Sequence, residues 1–370
     1  MASDSTVEKG SGATSLKAGE TIARLAGVGV ILLGVVGAFL YLGGWLTPQE
    51  LTARRFTTGF EQAYGEHSGF RRNHAKGVGV SGHFDSNGNG ARISKAIVFQ
   101  AGRVPLIGRF SLGGGDPYMA DSPDAVRAFA LEYNLADGEQ WRTAMIDLPV
   151  FPFRTPQDFY ENMMAGAPDP ETGKPDPAKM SAWIAKHPEF LQAIGVIKSH
   201  QPPVGFEDAG YFGLNTFIAT DASGKKTPVR WWLEPGQTAS AGDTAAAATN
   251  GQDKNYLFDG LIADVHEHPL QWKLMLIVGQ PGDATNDPTV VWPDSREQID
   301  AGTVTIDTVV AEETSPARVI NFDPLILPAG LGPSDDPFLS ARSAVYSQSF
   351  TRRTGERVEP SAVTPGEVQK

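Results

Sequence analysis

Short runs rich in β-branched and aromatic residues dominate the chain after residue 76. Segments rich in glycine, asparagine and aspartate, such as Asp85–Gly90 and Asp221–Gly224, separate them as turns separate strands. Because no helical pattern alternates with these runs, they predict an antiparallel barrel or sandwich and argue against a doubly wound parallel sheet. The predicted strands are Gly77–Phe84, Ala91–Phe99, Val104–Phe110, Arg127–Tyr133, Phe212–Ala219, Val229–Leu233, Leu270–Val278 and Val304–Val310.

Helices are predicted before and within this β-rich region. Thr47–Glu50 has the form of a capping box with proline at the first helical position, so a helix should follow it to about Ala63. Pro156–Met164 and Pro177–Ile197 form a predicted helical insertion. The small and polar stretch Ala239–Gln252 predicts a mobile loop.

An apolar run near the amino terminus, residues 25–46, carries no charge over 22 residues. As a helix it would span roughly 33 Å, which is enough to cross a bilayer. We interpret it as a single-pass membrane anchor; a buried core helix and a cleaved secretory signal are the alternatives. Basic residues precede the run, so the positive-inside rule places the tail in the cytoplasm and the main domain in the periplasm or elsewhere outside the cytoplasm. Two arginines just beyond the run make that margin small.

Composition narrows the classes of function. The net charge is −12, and the basic residues form no stripe of the kind that binds nucleic acid, so no nucleic-acid partner is expected. The chain has no cysteine, which excludes disulfides, cysteine-ligated zinc, iron–sulfur clusters and thiol nucleophiles. The predicted organisation is a disordered cytoplasmic tail (1–24), the anchor (25–46), the main domain (47–355) and a disordered C-terminal tail (356–370).

Two local motifs resemble metal sites but lack necessary ligands. Asp85–Gly90 matches the opening of a calcium loop, yet the twelfth position, where a bidentate glutamate is needed, is Ala96. This segment is predicted as a hairpin turn. His266 and His268 would face a metal together only from a strand, and no third ligand is evident, so they are predicted in a solvated loop.

One segment, residues 71–82, combines residues that suit a bound prosthetic group. It places His74 just ahead of a predicted strand that contains Gly77, Gly79 and Gly82. Glycine at alternate strand positions often marks the close approach of something flat or bulky, and haem is such a group. Alone, His74 reads more simply as an ordinary hydrogen-bonded side chain.

A second segment, Arg342–Tyr346, completes a set of motifs that resembles the catalase family from about Gly59 to Arg353. The match is to the small catalase-related peroxidases in particular. The resemblance implies an α+β fold, namely an antiparallel eight-stranded β-barrel with added helices, preceded by the transmembrane helix, and haem b with its iron as cofactor. The matching segments, in family order, are His74–Gly79, Arg109–Ser111, Arg127–Ala130, Pro149–Arg154, Asn321–Leu325 and Arg342–Tyr346.

The resemblance implies roles for the residues on the proximal side of that haem. Tyr346 would be the axial ligand, with its phenolate bound to iron. Arg342 lies one helical turn earlier and would favour the phenolate. Arg71, Arg109 and Arg353 would neutralise the propionates, because a guanidinium forks onto a carboxylate.

On the distal side, the resemblance makes His74 the catalytic acid–base. His74 would take a proton from peroxide and return it to the leaving oxygen, which yields the oxidised haem state called compound I. Ser111 would hydrogen-bond His74 and hold its orientation. Phe151 and Phe159 would be the distal aromatic residues, with Phe159 stacking near the haem plane.

The departures from the family pattern favour peroxidase over catalase activity. Catalases carry an asparagine that donates a hydrogen bond to bound peroxide, and in that segment this chain has Ile146 followed by Asp147. The chain also ends 24 residues after Tyr346, so we expect no C-terminal helical domain and a more accessible haem.

The function expected from this resemblance is reduction of hydrogen peroxide or organic hydroperoxides by a small organic donor, with weak or no catalase activity. A lipid hydroperoxide lyase or isomerase, a true catalase and a non-enzymatic haem-binding module are the alternatives. The membrane is a partner through the N-terminal helix, and a homo-oligomer stays open.

Overall fold

The structure, a computed structural model, describes residues 18–42, 46, 50–169, 171–239 and 254–365. The chain divides into two compact units, residues 1–52 and 53–370. The first unit contains helix α1 (Ala18–Leu42), whose stretch Thr21–Leu42 is apolar and long enough to cross a membrane. The expected apolar helix is therefore present, shifted toward the amino terminus relative to residues 25–46. Most of the capping-box segment 47–50 lies outside the described residues, and the helix expected after it, α2, begins at Ala53 and ends at Tyr64.

The second unit contains a closed antiparallel barrel, as the resemblance implies. Within the described residues, eight strands pair in the cyclic order β1-β2-β3-β4-β5-β7-β8-β9, and pairing of β9 with β1 and of β7 with β8 closes the ring. Strands β6 and β10 extend the sheet from β7. The strands are β1 (Gly77–Ser86), β2 (Gly102–Leu112), β3 (Arg127–Asn134), β4 (Gln140–Ile146), β5 (Tyr211–Phe212), β6 (Phe217–Thr220), β7 (Lys226–Pro235), β8 (Leu270–Val278), β9 (Gln298–Val310) and β10 (Leu331–Pro333).

Aromatic side chains fill the interior of the barrel. Phe110 and Phe129 stack with ring centroids 4.0 Å apart, and Trp272 packs against both. Trp141 stacks on Tyr133 at 4.6 Å. Burial of such rings supplies much of the stability of a domain. The interior of an eight-stranded barrel can be filled by its own side chains, and these aromatic rings fill it here.

Helices cover the outside of the barrel. Prolines at their first turns and acidic caps explain where several begin; Thr155 and Asp158, for example, form a complete capping box at α3. The insertion expected at 177–197 is two helices, because Pro188 cannot continue the first one and starts the second. After α1 and α2, the helices are α3 (Pro156–Gly166), α4 (Pro177–Ile184), α5 (Pro188–Ser199), α6 (Tyr256–Glu267) and α7 (Pro337–Thr354).

Several predicted strand boundaries were wrong. The segment 91–99 is not a strand but carries short 3₁₀ turns, at Asn89–Arg92 and Ile97–Phe99, so β1 and β2 are joined by a long connection and not by a tight hairpin. The strand expected at 212–219 breaks at Leu214, whose φ of 57° is incompatible with an extended strand. Strand β4 was missed because charged Arg142 interrupts its apolar pattern.

Two further expectations differ from the structure. His266 and Glu267 end helix α6 and do not lie in a loop. Residues 356–365, expected to be disordered, pack on the domain: Glu356 pairs with Arg72, and Val363 is fully buried. Residues 366–370 and most of the expected mobile loop 239–252 lie outside the described residues.

The glycines of β1 have a different role from the one expected. An added Cβ at Gly77 would lie 2.6 Å from the Arg109 guanidinium, and at Gly82 it would overlap the carbonyl oxygen of Thr305. At Gly79 it would overlap the side chain of Ser315. These glycines therefore admit neighbouring parts of the same chain, not a cofactor.

Replacing Gly82 with alanine is expected to lower the free energy of unfolding by at least about 2 kcal/mol, because the backbone of β9 must move to admit the methyl group. Gly195 in α5 is the control, since an added Cβ there meets nothing within 4 Å. Gly195→Ala should be neutral or stabilising by roughly 0.5–1 kcal/mol. Urea denaturation of both variants measures the difference, and equal stability of the two would contradict this explanation.

Candidate active site

A cavity of about 680 Å³ lies outside the barrel interior, between the segment before β1, helices α2, α3 and α7, and the ends of β2 and β4. It is lined mainly by apolar and aromatic side chains. All of the residues that the resemblance assigned to a site lie in its wall: Arg71, His74, Arg109, Ser111, Phe151, Phe159, Arg342, Tyr346 and Arg353.

His74 is held in an unusual backbone conformation. Its φ is 55°, in the left-handed region that residues other than glycine rarely adopt. The Asn73 carboxamide oxygen accepts hydrogen bonds from the amides of His74 and Gly114, each 3.0 Å long. The amide of Ala75 donates to the carbonyl of Gly114. Asn73, which sequence reasoning missed, thus locks the loop that presents His74 to the cavity.

The environment of His74 keeps its imidazole neutral. Burial, followed by the positive charges of Arg109 and Arg342, lowers the pKa of His74 to about 3. The Leu112 backbone opposes this effect, but Nδ1 is buried and makes no hydrogen bond of normal geometry with the described residues. Ser111 lines the same cavity, and the hydrogen bond from Ser111 to His74 stays a prediction. A neutral buried imidazole can accept a proton from a bound molecule.

This shift makes the stability of the apoprotein depend on pH. The pKa of His74 is about 3 in the folded chain and about 6.5 in the unfolded chain, so between these values the unfolded chain binds more protons. The free energy of unfolding therefore falls as the pH is lowered. Relative to His74→Gln, the wild type should lose about 2 kcal/mol between pH 7 and pH 5. Urea denaturation at both pH values measures this loss, and parallel curves would contradict it.

Helix α7 positions Tyr346 and Arg342 in the wall of the same cavity. The Arg342 Nη2 donates to the Tyr346 hydroxyl oxygen over 3.1 Å and to the carbonyl of Ala144 over 3.0 Å. The two residues are four apart, so they share one helix face as expected. The Tyr346 hydroxyl oxygen therefore has a cationic hydrogen-bond donor beside it in the cavity wall.

A chain of hydrogen bonds through Asn215 and Asp336 holds the Arg342 side chain in place. The Arg342 Nη1 donates to Asn215 Oδ1 over 2.5 Å, and Asn215 Nδ2 donates to Asp336 Oδ2 over 2.8 Å. Asp336 also caps α7 by accepting from the Phe338 amide. Burial raises the pKa of Asp336 above its ordinary value. Sequence reasoning missed Asn215, which lies 127 residues from Arg342 and carries no local signal.

Three arginines and one glutamate form a buried charged cluster at one end of the cavity. Arg109 Nε donates to Glu312 Oε2 over 2.6 Å, and Arg71 and Arg353 both donate to the carbonyl of Ile320. Burial opposes ionisation of Glu312, but Arg109 and Arg71 hold its pKa below the ordinary value. Burial lowers the pKa of Arg353 to about 10. Three guanidinium groups against one carboxylate leave two positive charges in excess.

Residues 61–364 match the family model described as catalase. The chain belongs to the catalase family. It is 34% identical over 304 residues to a catalase-related peroxidase of Synechococcus elongatus, with 82% of this chain and 89% of the relative covered. It is 31% identical to a catalase-related peroxidase of Mycolicibacterium paratuberculosis, with 85% and 97% covered.

Larger catalases share the fold over part of their length. The catalase of Rattus norvegicus is 26% identical, and the match covers 76% of this chain but 56% of the relative. A bacterial catalase structure superposes with a TM-score of 0.67 at 23% identity, covering 78% of this chain and 58% of that chain. This member of the catalase family therefore has the fold of the catalase barrel region.

One part of the cavity wall, formed by residues 146–148, is apolar. Ile146 and Leu148 line the cavity. Asp147, between them, accepts a hydrogen bond from the Arg127 amide over 3.0 Å, and burial raises the pKa of Asp147 to about 6. The segment therefore presents two hydrocarbon side chains to the cavity, and neither can donate a hydrogen bond.

The site residues of this catalase-family chain fit a haem. The volume of about 680 Å³ falls within the range of cofactor pockets, roughly 300–1,000 Å³. Phe151 and Phe159 supply an aromatic wall, with ring centroids 5.5 Å apart. The arginine cluster has the excess charge that two carboxylates would balance, and the phenol of Tyr346 is a recognised donor to haem iron.

Proposed function

We propose that this chain is a haem b-dependent peroxidase that reduces hydrogen peroxide or organic hydroperoxides with a small organic electron donor. As a member of the catalase family, it is an oxidoreductase acting on peroxide. The observation that carries the proposal is the pairing, within one cavity, of a neutral buried histidine, His74, with a tyrosine whose oxygen accepts from a guanidinium, Tyr346.

His74 would move the proton of the reaction. A general base must be neutral when the substrate arrives, and the low pKa of about 3 keeps His74 so at physiological pH. The same imidazole, once protonated, is a general acid that delivers the proton to the leaving oxygen. The cavity is lined mainly by apolar side chains, and such surroundings would strengthen the interaction of His74 with bound peroxide.

Tyr346 and the arginines would hold the haem. The phenolate of Tyr346 would ligate the iron, Arg342 would stabilise that phenolate, and Arg71, Arg109 and Arg353 would bind the two propionates. Bound there, the haem supplies the redox chemistry that no amino-acid side chain of this site provides. Ser111 would contribute to the polarity beside His74, and Phe151 and Phe159 would pack on the distal side.

The distal wall favours weak catalase activity. Dismutation needs a second peroxide to be held while it is oxidised, and the hydrocarbon side chains of Ile146 and Leu148 offer it no hydrogen bond. A donor molecule that enters the cavity can instead supply the electrons. This argument supports a peroxidase over a true catalase.

We also propose that α1 anchors the protein as a single-pass membrane helix, with the catalytic domain in the periplasm or otherwise outside the cytoplasm. The uncharged span Thr21–Leu42 and the basic residues before residue 25 support this proposal. Protease treatment of intact and permeabilised spheroplasts tests it. Digestion of the domain only after permeabilisation would overturn the orientation.

The experiment that tests the function records an optical spectrum of the purified protein, followed by peroxide addition with and without an organic donor. The expected result is a five-coordinate ferric-phenolate spectrum, donor oxidation and little oxygen release. Vigorous oxygen release would favour a catalase. Conversion of a lipid hydroperoxide without any donor would favour a lyase or isomerase, and a protein that cannot be loaded with haem would overturn the proposal.

A further inference from the structure

A row of aromatic side chains on α2 leads from the cavity interior to solvent. Phe56, Phe60 and Tyr64 are spaced four residues apart, so they share one helix face, and all three line the cavity. Their consecutive ring centroids are 5.4 and 6.3 Å apart. Phe56 and Phe60 are buried, and the Phe56 ring lies 5.5 Å from Phe159. Tyr64 is 43% exposed, so the row ends at an accessible ring at the cavity mouth.

The loop of residues 113–116 forms the other side of this mouth and is rigidly held. An added Cβ at Gly115 would lie 2.9 Å from Tyr64 Cβ, so the loop backbone packs directly on Tyr64. Gly114 is hydrogen-bonded to Asn73 and Ala75, which flank His74. One fixed loop therefore connects the exposed ring of Tyr64 with the segment that carries the proposed catalytic histidine.

This loop ends in a carboxylate that faces the cavity. Asp116 is the only acidic residue among the described residues that line it, and its side chain is 42% exposed. The Oδ1 atom accepts from the Tyr118 amide over 2.8 Å and lies 3.8 Å from His67 Nε2. The Oδ2 atom makes no hydrogen bond within the described part of the chain, so it can accept one from a ligand.

We propose that Tyr64 and Asp116 bind the electron donor and that the donor is a small, neutral phenol. This assignment rests on the proposed peroxidase function. A phenol ring can stack on Tyr64 while its hydroxyl donates to Asp116 Oδ2. A donor without a hydroxyl or amine would leave the carboxylate partly desolvated and unpaired, and an anionic donor would be repelled by it.

Oxidation of the phenol supplies the electrons and protons that reduction of hydrogen peroxide requires. Each phenol loses one electron to the oxidised site and one proton from its hydroxyl, and it leaves as a phenoxyl radical. Two phenols thus supply the two electrons and two protons that convert one hydrogen peroxide into two water molecules. Asp116 is placed to take the hydroxyl proton, and its side chain, which is 42% exposed, can pass the proton to solvent.

The test compares Tyr64→Ala, Tyr64→Phe and Asp116→Asn in the haem-loaded full chain, with Tyr118→Ala as the matched control. Tyr118 is also 43% exposed, and its amide donates a hydrogen bond to Asp116, but its side chain does not line the cavity. The probe is phenol itself. Its dissociation constant for the resting protein is measured by NMR titration, and KM and kcat for its peroxide-dependent oxidation are measured separately.

Tyr64→Ala should raise both the dissociation constant and KM for phenol at least about fivefold, while Tyr64→Phe and Tyr118→Ala stay within about twofold of wild type. Asp116→Asn should weaken the binding of phenol. The same variant should lower KM for 4-hydroxybenzenesulfonate, because the charge that repels this anionic donor is gone. Unchanged phenol binding in Tyr64→Ala overturns this inference. Tyr64-dependent phenol binding without any peroxide-dependent oxidation supports the binding site and overturns the peroxidase proposal instead.

Discussion

The Tyr346→Phe variant is expected to have at least about 100-fold lower affinity for haem. Its rate of peroxide-dependent donor oxidation should fall by at least about 100-fold as well. Phenylalanine keeps the ring and its packing but removes the oxygen that accepts from Arg342 Nη2 over 3.1 Å. Without this oxygen, helix α7 would offer no phenolate to the proposed haem iron, and Arg342 Nη2 would lose one of its two acceptors. The measurement is the haem-to-protein ratio after reconstitution, with the ferric spectrum recorded alongside.

Tyr118→Phe is the matched control for this variant, because it removes a phenol oxygen outside the cavity wall. The Tyr118 hydroxyl donates to the carbonyl of Pro360 over 3.0 Å, so its loss should affect the surface only. Circular dichroism of both variants should match the wild type. A Tyr346→Phe protein that binds haem with unchanged spectrum would rule out Tyr346 as the iron ligand.

His74→Gln is expected to slow the reaction with peroxide by about 10²- to 10⁴-fold while haem stays bound. Glutamine is polar and similar in size, but it cannot shuttle a proton as a neutral base and then as an acid. Stopped-flow mixing of the loaded protein with hydrogen peroxide measures the rate of the first spectral change. A haem-storage module would need Tyr346 and not His74, so this variant also separates enzyme from carrier.

His83→Gln serves as the control for the histidine. His83 lies in β1, the strand that follows His74, and it does not line the cavity. Its imidazole lies near Asp85 and Asp307 on the barrel surface. Its peroxide rate should stay within about twofold of wild type. Equal rates for His74→Gln and wild type would show that proton transfer does not depend on His74.

The strands that sequence patterns predicted well are those with long apolar alternation. Leu270–Val278 was predicted with the observed bounds, and β1–β3 were found with errors of a few residues at their ends. The failures have physical causes. Strand β4 was missed because it contains the charged residue Arg142, which pairs with Glu132. The predicted strand 212–219 was wrong because the positive φ of Leu214 interrupts it.

Some site residues could be predicted from local sequence motifs, whereas others are recognisable only from contacts between distant parts of the chain. Family motifs in the sequence mark His74, Tyr346 and the arginines, and the structure places them in the wall of one cavity. Asn215 and Glu312 were missed because their roles come from contacts with Arg342 and Arg109, 127 and 203 residues away. The β1 glycines were misread for the same reason, since only the tertiary structure reveals which atoms approach them.

The filled interior of the barrel has a consequence for how the protein matures. Phe110, Phe129 and Trp272 pack against one another inside the barrel, and none of the three lines the cavity around His74 and Tyr346. The chain therefore needs no prosthetic group to complete its hydrophobic core. If the cavity binds haem as proposed, the chain can fold first and acquire the cofactor afterwards, and a cell short of iron would then accumulate a folded precursor.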